Sequence, residues 1–429
     1  MYSGIVYLKM INDNKTGSFI ITLIIFGFIT ANYDKEQPQA NMLYSEASDK
    51  NALVPKRKML AHYMPWYTSK PFSGKWGWHW TMDHYNPDEV LANGQLEVAS
   101  YYYPLIGPYD SGDPDALECH VLLMKFAGID GVIIDWYGIE DFYDYSTINR
   151  NTQHIINYAR EADLEFAICY EDQSIKRMVE NGYIAGDKAV EHGQRAMLWL
   201  QSNCFDSQAY LKIDGRPALF VFGPQYFTSD QWNQLFSVLP NRPFLYVLNY
   251  LQDGADGIFG WPPVNGNITA PEQWNKYLES LYDKNGKSCV GVVFPQFHDI
   301  YGSAGVHKSY GFIDAQGTET FEETLGIAIR SNCELIQIAT WNDYGEGTII
   351  EPTVEFGYSY LEKIQRIRKQ EFGVSFPYKA GDLRLPIMLY QLKKKYQHNR
   401  SVMHSLSKCS ELLFSRNIAD AEKLMKSYQ

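Results

Sequence analysis

Gly131-Val-Ile-Ile-Asp-Trp-Tyr-Gly138 reads as a strand covered on both faces. Successive strand side chains point to opposite sides, so the unbroken run Val132, Ile133, Ile134 needs apolar neighbours above and below. Strands of that kind belong to parallel sheets flanked by helices. Outward from it the same rhythm recurs, with short apolar or aromatic runs alternating with longer stretches of helical spacing. The candidate strands are Lys58–Tyr63, Val98–Tyr103, Gly131–Trp136, Glu165–Tyr170, Pro217–Phe222, Pro243–Leu248, Val290–Pro295 and Leu335–Trp341, with a short ninth candidate at Gly257–Trp261. Eight βα units fit an α/β fold of the (β/α)8 TIM-barrel type better than an open doubly wound sheet. No GxGxxG or GxxxxGK[ST] follows any of these runs, which argues against a nucleotide-binding sheet.

The 429 residues are 45% hydrophobic and 21% charged, enough for a large core. Lys and Arg number 38 against 50 Asp and Glu, a net charge of −12, which leaves no electrostatic footprint for nucleic acid. Aromatic residues reach 15%, with 32 Tyr and 10 Trp, more than a core needs and suited to flat polar ligands such as sugars. Cys119, Cys169, Cys204, Cys289, Cys333 and Cys409 are scattered, without CxxC and without paired His at ligand spacing. They read as core thiols rather than a disulfide framework or a zinc site. The apolar run Gly17–Ala31 follows Lys9 and Lys15 and reads as a secretory signal over residues 1–31, with an uncleaved anchor as the alternative. Residues 32–55 read as a linker, 56–378 as the barrel, and 379–429 as a helical C-terminal extension. In that extension ten Lys and Arg face four acids, and the basic run Lys393–Lys395 reads as a solvated helix face.

Barrel enzymes carry their reactive groups at the carboxyl ends of the strands. Tyr63 ends the first candidate strand with Trp66 and Tyr67 just after it, and Tyr102 and Tyr103 end the second. Asp135 and Trp136 end the third, and Glu171 and Asp172 follow the fourth. Tyr250, Trp261 and the pair His298–Asp299 come later, and Trp341, Asn342, Asp343 and Glu346 close the series. Carboxylates thus alternate with rings along one rim, as glycoside cleavage requires. One carboxyl protonates the leaving oxygen and a second serves as base or nucleophile, while rings hold the sugar. Asp343 and Glu346 are the best pair, because Gly345 and Gly347 free the backbone to aim both inward.

The segment ATWNDYGEGTIIEP (Ala339–Pro352) resembles the signature of glycoside hydrolase families 99 and 71, which act on α-mannans and α-1,3-glucans. HYMPWY (His62–Tyr67), WGWHW (Trp76–Trp80), GVIIDWYG, YED (Tyr170–Asp172) and DGIFGW (Asp256–Trp261) agree in order. The resemblance spans about Lys58–Gln365 and implies an extracellular or periplasmic endo-acting α-glycosidase on a (β/α)8 barrel. In family 99 both signature carboxylates are Glu: one draws the proton from the sugar's own 2-hydroxyl, and the other protonates the leaving group. Glu346 matches the second, whereas Asp343 stands where family 99 has Glu. The form WNDYGE is closer to family 71, and His79–Trp80 to family 99. The resemblance therefore implies Glu346 as general acid and Asp343 as general base. The expected substrate contacts are Tyr63, Trp66, Tyr67, His79, Trp80, Asp135, Trp136, Glu171, Tyr250, Trp261, Asp299, Trp341 and Asn342.

Such a displacement needs only two carboxyls, so no cofactor and no metal are expected. The expected partner is a polysaccharide or oligosaccharide, with no nucleic acid and no membrane contact beyond an N-terminal anchor. Competing readings are an exo-acting hydrolase on a xyloside or arabinoside, a non-catalytic glycan-binding protein, and an anchored enzyme of surface-polysaccharide assembly. Retention of both Asp343 and Glu346 argues against the binding protein.

Overall fold

Eight strands close a parallel barrel: β1 (Lys58–Tyr63), β2 (Gly131–Trp136), β3 (Glu165–Tyr170), β4 (Arg216–Val221), β5 (Phe244–Leu248), β6 (Gly257–Phe259), β7 (Ser288–Val293) and β8 (Leu335–Ile338). The structure is a computed structural model and describes residues 57–264, 271–282, 287–372 and 375–429. The signal-like run and the linker lie outside the described residues. Strands pair in chain order, and β8 returns to β1 with Leu335 opposite Lys58. Helices α1 (Pro114–Ala127), α2 (Tyr145–Glu161), α3 (Ala189–Leu200), α4 (Ser229–Phe236), α5 (Pro271–Tyr282), α6 (Glu319–Arg330) and α7 (Ser359–Phe372) follow every strand except β5. The β5–β6 link is a loop in which Asp256 accepts from Arg216 and Arg242 at 2.8 Å each and from the Leu245 N–H at 2.9 Å. No described helix is long and apolar enough to cross a membrane.

Two of the candidate strands exchange roles. Val98–Tyr103 is irregular backbone, and the short run beginning at Gly257 supplies the barrel strand in its place. The aromatic run VASYYY has strand-like composition because its rings pack well, and that preference concerns packing rather than backbone geometry. Tyr102 lies against Phe356 and His298, and Ala99 donates its N–H to the Trp80 carbonyl at 2.8 Å. In consequence the β1–β2 connection is a single long excursion from Met64 to Gly112 that enters α1 directly.

Arg368 of α7 joins the barrel bottom to its outer layer. The side chain is fully buried, donates to the carbonyls of Gly128 at 2.8 Å and Arg57 at 3.1 Å, and pairs with Asp130. Asp130 in turn accepts the Met59 N–H of β1 at 2.9 Å. Removing one partner of such a cluster leaves buried polar groups unmet, so Arg368→Ala is expected to cost about 3–5 kcal/mol. A shift of the urea midpoint measures it; a loss under about 1 kcal/mol would show that the cluster is dispensable.

The C-terminal helices α8 (Leu385–Lys395), α9 (Arg400–Phe414) and α10 (Ile418–Lys426) are joined to the barrel, with α8 packed on α1. Of the basic run there, Lys395 is exposed as expected, but Lys393 and Lys394 are not on a solvated face. Lys393 is buried against Glu118 at 2.8 Å, and Lys394 meets Asp113 at 2.7 Å and Asp115 at 2.8 Å. Their acidic partners are the N-cap and the first half of α1 in the same chain.

The cysteine expectation is corrected for one pair: Cys289 and Cys333 form a disulfide, with Cα atoms 5.2 Å apart. Their 44-residue separation hides the fact that β7 and β8 are neighbours, with Leu335 opposite Val290. Cys119, Cys169, Cys204 and Cys409 are free and buried, as core thiols are.

Candidate active site

The segment leaving β8 folds back on itself and presents both signature carboxylates. Asp343 donates its N–H to Thr340 Oγ1 at 2.7 Å, and Asp343 Oδ1 accepts the Glu346 N–H at 3.0 Å. The carbonyls of Gly345 and Glu346 accept the N–H groups of Ile300 and His298, which docks the turn on the β7 loop. The two glycines serve differently from the expectation of shared freedom. Gly347 has φ +68°, and a Cβ there would lie 2.7 Å from the His298 carbonyl oxygen. Gly345 has no left-handed φ; a Cβ would press on Met82 and the Tyr301 hydroxyl.

A buried polar network holds this turn from below. Asn342 accepts the Met64 N–H at 2.8 Å and donates to the Met64 carbonyl at 3.0 Å and to the Tyr109 hydroxyl at 2.9 Å. Tyr109 and Tyr344 donate to Glu351 at 3.0 Å each, and His120 bridges Glu351 and Tyr63 at 3.0 Å on either side. Tyr67 donates to the Asn342 carbonyl and accepts the Tyr344 N–H. Satisfied buried networks of this kind fix one arrangement, because any other leaves a polar group unmet.

Above the turn lies a cavity of about 1180 Å³ whose wall includes Trp66, His79, Asp135, Glu171, Trp261, Asp343 and Glu346 from the expected set. Trp261 donates Nε1–H to Glu346 Oε2 at 2.8 Å, which orients that carboxyl. Trp66 and His79 stack with centroids 4.3 Å apart and planes 7° from parallel, and His79 reaches Asp144 at 3.5 Å. Burial pushes the Asp343 carboxyl up to about 6, against the pull of the Glu346 and Gly345 N–H groups. Glu346 is pushed well above the carboxylate range by burial and then by the Asp343 charge. Burial lifts Glu171 to about 7, and burial with the charges of Glu171, Asp343 and Glu346 lifts Asp135 well above its ordinary value.

The other expected contacts are not on the cavity wall. Tyr63, Tyr67 and Asn342 belong to the network beneath the turn. Trp80 is fully buried and donates to the Tyr109 carbonyl at 2.8 Å. Trp136 turns outward from the barrel, stacks on Trp199 and donates to Asn149 at 3.0 Å. Trp341 is fully buried with its edge against His120. Asp299 is a loop organiser, accepting the Tyr310 N–H at 2.7 Å and the Ser309 hydroxyl at 3.0 Å. Tyr250 is 79% exposed on the helix-free β5–β6 loop and also lies off the cavity wall.

Sequence reasoning missed Tyr137, Phe222, Arg177, Tyr301 and Tyr310, all on the wall. One signal was available: residues i and i+2 share a face, so Asp135 pointing inward favours Tyr137 over Trp136. Tyr301 and Tyr310 come from the long β7 loop and carry no such signal. Asp172, next to Glu171, faces away from the cavity and accepts the N–H groups of Gln225, Tyr226 and Phe227 at 2.7–3.0 Å. Among the described residues, the ligating atoms of His62, Asp135 and Cys169 cluster below the floor. The arrangement can perform acid–base chemistry on an acetal: two adjacent carboxyls of unequal environment, one carrying an indole hydrogen bond, at the base of a ring-lined cavity.

Comparison with known proteins agrees with this chemistry. The profile of glycosyl hydrolase family 99 matches residues 56–366. The glycoprotein endo-alpha-1,2-mannosidase of Mus musculus is 26% identical over 320 residues, covering 68% of this chain and 67% of that protein. The Xenopus laevis protein of the same name is 29% identical over 339 residues, covering 68% and 69%. The structure of the GH99 endo-alpha-mannosidase from Bacteroides thetaiotaomicron superposes with a TM-score of 0.56 at 18% identity, covering 74% of this chain and 98% of that one, and so shares the fold. With its profile match running from residue 56 to residue 366, over every strand of the barrel, the chain belongs to glycosyl hydrolase family 99.

Proposed function

We propose that this glycoside hydrolase is an endo-acting α-mannosidase in which Glu346 is the general acid and Asp343 the general base. The observation that carries the reading is the placement of both carboxyls on one cavity wall with the Trp261 N–H on Glu346. Endo action is supported by the cavity volume of about 1180 Å³, above the roughly 300–1,000 Å³ of small-molecule sites. The mannose assignment is supported by the names of the relatives. Glu346, kept protonated, gives its proton to the departing glycosidic oxygen. Asp343 takes a proton from the sugar's 2-hydroxyl when the product retains its anomeric configuration, and from a water when it inverts. Glu171 and Asp135 hold sugar hydroxyls, and Trp66 with His79 forms one wall.

We place the enzyme outside the cytoplasm. The apolar run Gly17–Ala31 supports an export signal, and the Cys289–Cys333 disulfide suits an oxidising compartment. Mass spectrometry of the mature N-terminus from the native host tests this, and a chain retaining Met1 in the cytoplasm would refute it.

The test of activity is incubation of the purified chain with α-mannans, α-1,3-glucans and other polysaccharides, followed by chromatography of released sugars and proton NMR of the product anomer. Manno-oligosaccharides are the expected products; release of glucose oligomers, or binding without release, would overturn the reading. The pH profile of kcat/KM is expected to be a bell. Its rate rises as Asp343 ionises through about 6 and falls where the raised Glu346 carboxyl loses its proton. In Glu346→Gln the falling limb is expected to vanish.

A further inference from the structure

Beneath the cavity floor, the barrel interior holds three metal-ligating side chains that the proposed reaction does not use together. His62 ends β1, Asp135 lies on β2 and Cys169 on β3. Asp135 is the register partner of Cys169, and His62 is the partner of Ile133, one inward-facing position before Asp135. All three therefore face the barrel interior at neighbouring positions of consecutive parallel strands. One ligating atom from each lies within 4.8 Å of the other two, and all three residues are buried.

Two of the three side chains have no hydrogen-bond partner within the protein. Neither ring nitrogen of His62 and neither carboxylate oxygen of Asp135 has a hydrogen-bond partner, although both side chains are inside the protein. Buried polar atoms in native proteins are otherwise nearly always partnered, so each calls for an explanation. The ring of Trp261 covers His62 edge-on, with centroids 5.0 Å apart. Asp135 also lines the cavity, which opens the cluster toward solvent and substrate.

We propose that His62, Asp135 and Cys169 bind one divalent transition cation of the zinc type, with its remaining coordination position facing the cavity. An imidazole nitrogen, a carboxylate oxygen and a thiolate sulfur form a mixed donor set that zinc accepts, and three protein ligands with an open fourth place are the pattern of a zinc site that takes an exogenous oxygen. With metal–ligand distances of about 2.0–2.3 Å, ligand atoms in a tetrahedral site sit roughly 3.3–3.7 Å apart, so side-chain rotation of about an ångström completes the cage. The charge also balances, since carboxylate and thiolate together offset the cation. On the cavity wall Asp343 adds negative potential when ionised, whereas Lys75, Arg150 and Arg177 are exposed. Sequence spacing hides the site because each ligand comes from a different strand. The ligand for the open position is a water or a hydroxyl of a bound sugar.

The test uses the full chain, freed of metal by chelation, shown folded by circular dichroism and titrated with Co2+. A saturable thiolate-to-cobalt charge-transfer band at one equivalent is expected, displaced by Zn2+. Cys169→Ser is expected to abolish the band while Cys119→Ser leaves it intact, and His62→Gln is expected to weaken binding roughly tenfold or more. X-ray absorption on the zinc-loaded wild type needs no variant and is expected to find one sulfur at about 2.3 Å among nitrogen and oxygen scatterers. No band in the folded wild type, a band that survives in Cys169→Ser, or a shell without sulfur would each overturn the proposal. None of these readouts depends on hydrolysis, so the site and the mannosidase reading stand or fall separately.

Discussion

Glu346→Gln is expected to lower turnover on a natural glycan by about 10²- to 10⁴-fold, and far less on an aryl glycoside whose leaving group departs without protonation. The argument rests on what surrounds Glu346. Burial and then the neighbouring Asp343 charge raise its carboxyl well above the ordinary carboxylate range, and the Trp261 N–H occupies one of its two oxygens. Gln keeps the size and an acceptor oxygen for Trp261, so the variant removes the proton without removing the shape. Steady-state kinetics on both substrate types measure the contrast. Equal losses on the two would reassign Glu346 from acid to a binding or nucleophilic role.

The second large effect is expected at Asp343 and has two faces. Asp343→Asn removes the base, so the loss of about 10²- to 10⁴-fold applies to good and poor leaving groups alike. Undiminished turnover on a cleaved glycan would sink the assignment. The same variant is expected to be more stable than wild type at neutral and alkaline pH. Burial raises the folded-state value from 3.8 to about 6. A carboxyl raised in this way contributes its stability fully below the unfolded value and loses it as pH climbs through the folded one. Above about pH 7 the ionised, buried Asp343 is therefore about 3 kcal/mol less favourable than in the unfolded chain, a cost Asn does not carry. Thermal melts should show the gain at about pH 8 and its disappearance as pH falls toward about 4. A variant that is less stable at about pH 8 would mean that the N–H groups of Glu346 and Gly345 outweigh desolvation.

Part of this site is legible in the residues alone. The apolar runs Leu60–Ala61, Val132–Ile134 and Ile336 mark strands covered on both faces, and in a barrel such strands place their following residues on one rim. That logic reaches Asp135, Glu171, Trp261, Asp343 and Glu346. It fails where local composition and global position disagree: Val98–Tyr103 has the rings of a strand but packs as a loop, and β6 is too short to show a period. It fails again where neighbours diverge, as Trp136 and Tyr137 do, since adjacent residues on a strand face opposite ways.

Chemical type and chain order, then, are written in the residues: a barrel, a carboxylate pair in a glycine-bearing turn, and rings to hold a sugar. Tertiary structure alone chose which groups meet. It sent Tyr63, Tyr67 and Asn342 into the network under Glu351, left Tyr250 in solvent and brought Tyr301 and Tyr310 to the wall. It also joined Cys289 to Cys333 and gathered His62, Asp135 and Cys169. The reason is physical: a strand's apolar pattern depends on the covering of its own two faces, whereas convergence at the rim depends on barrel closure, loop packing and the satisfaction of buried polar groups contributed by distant segments.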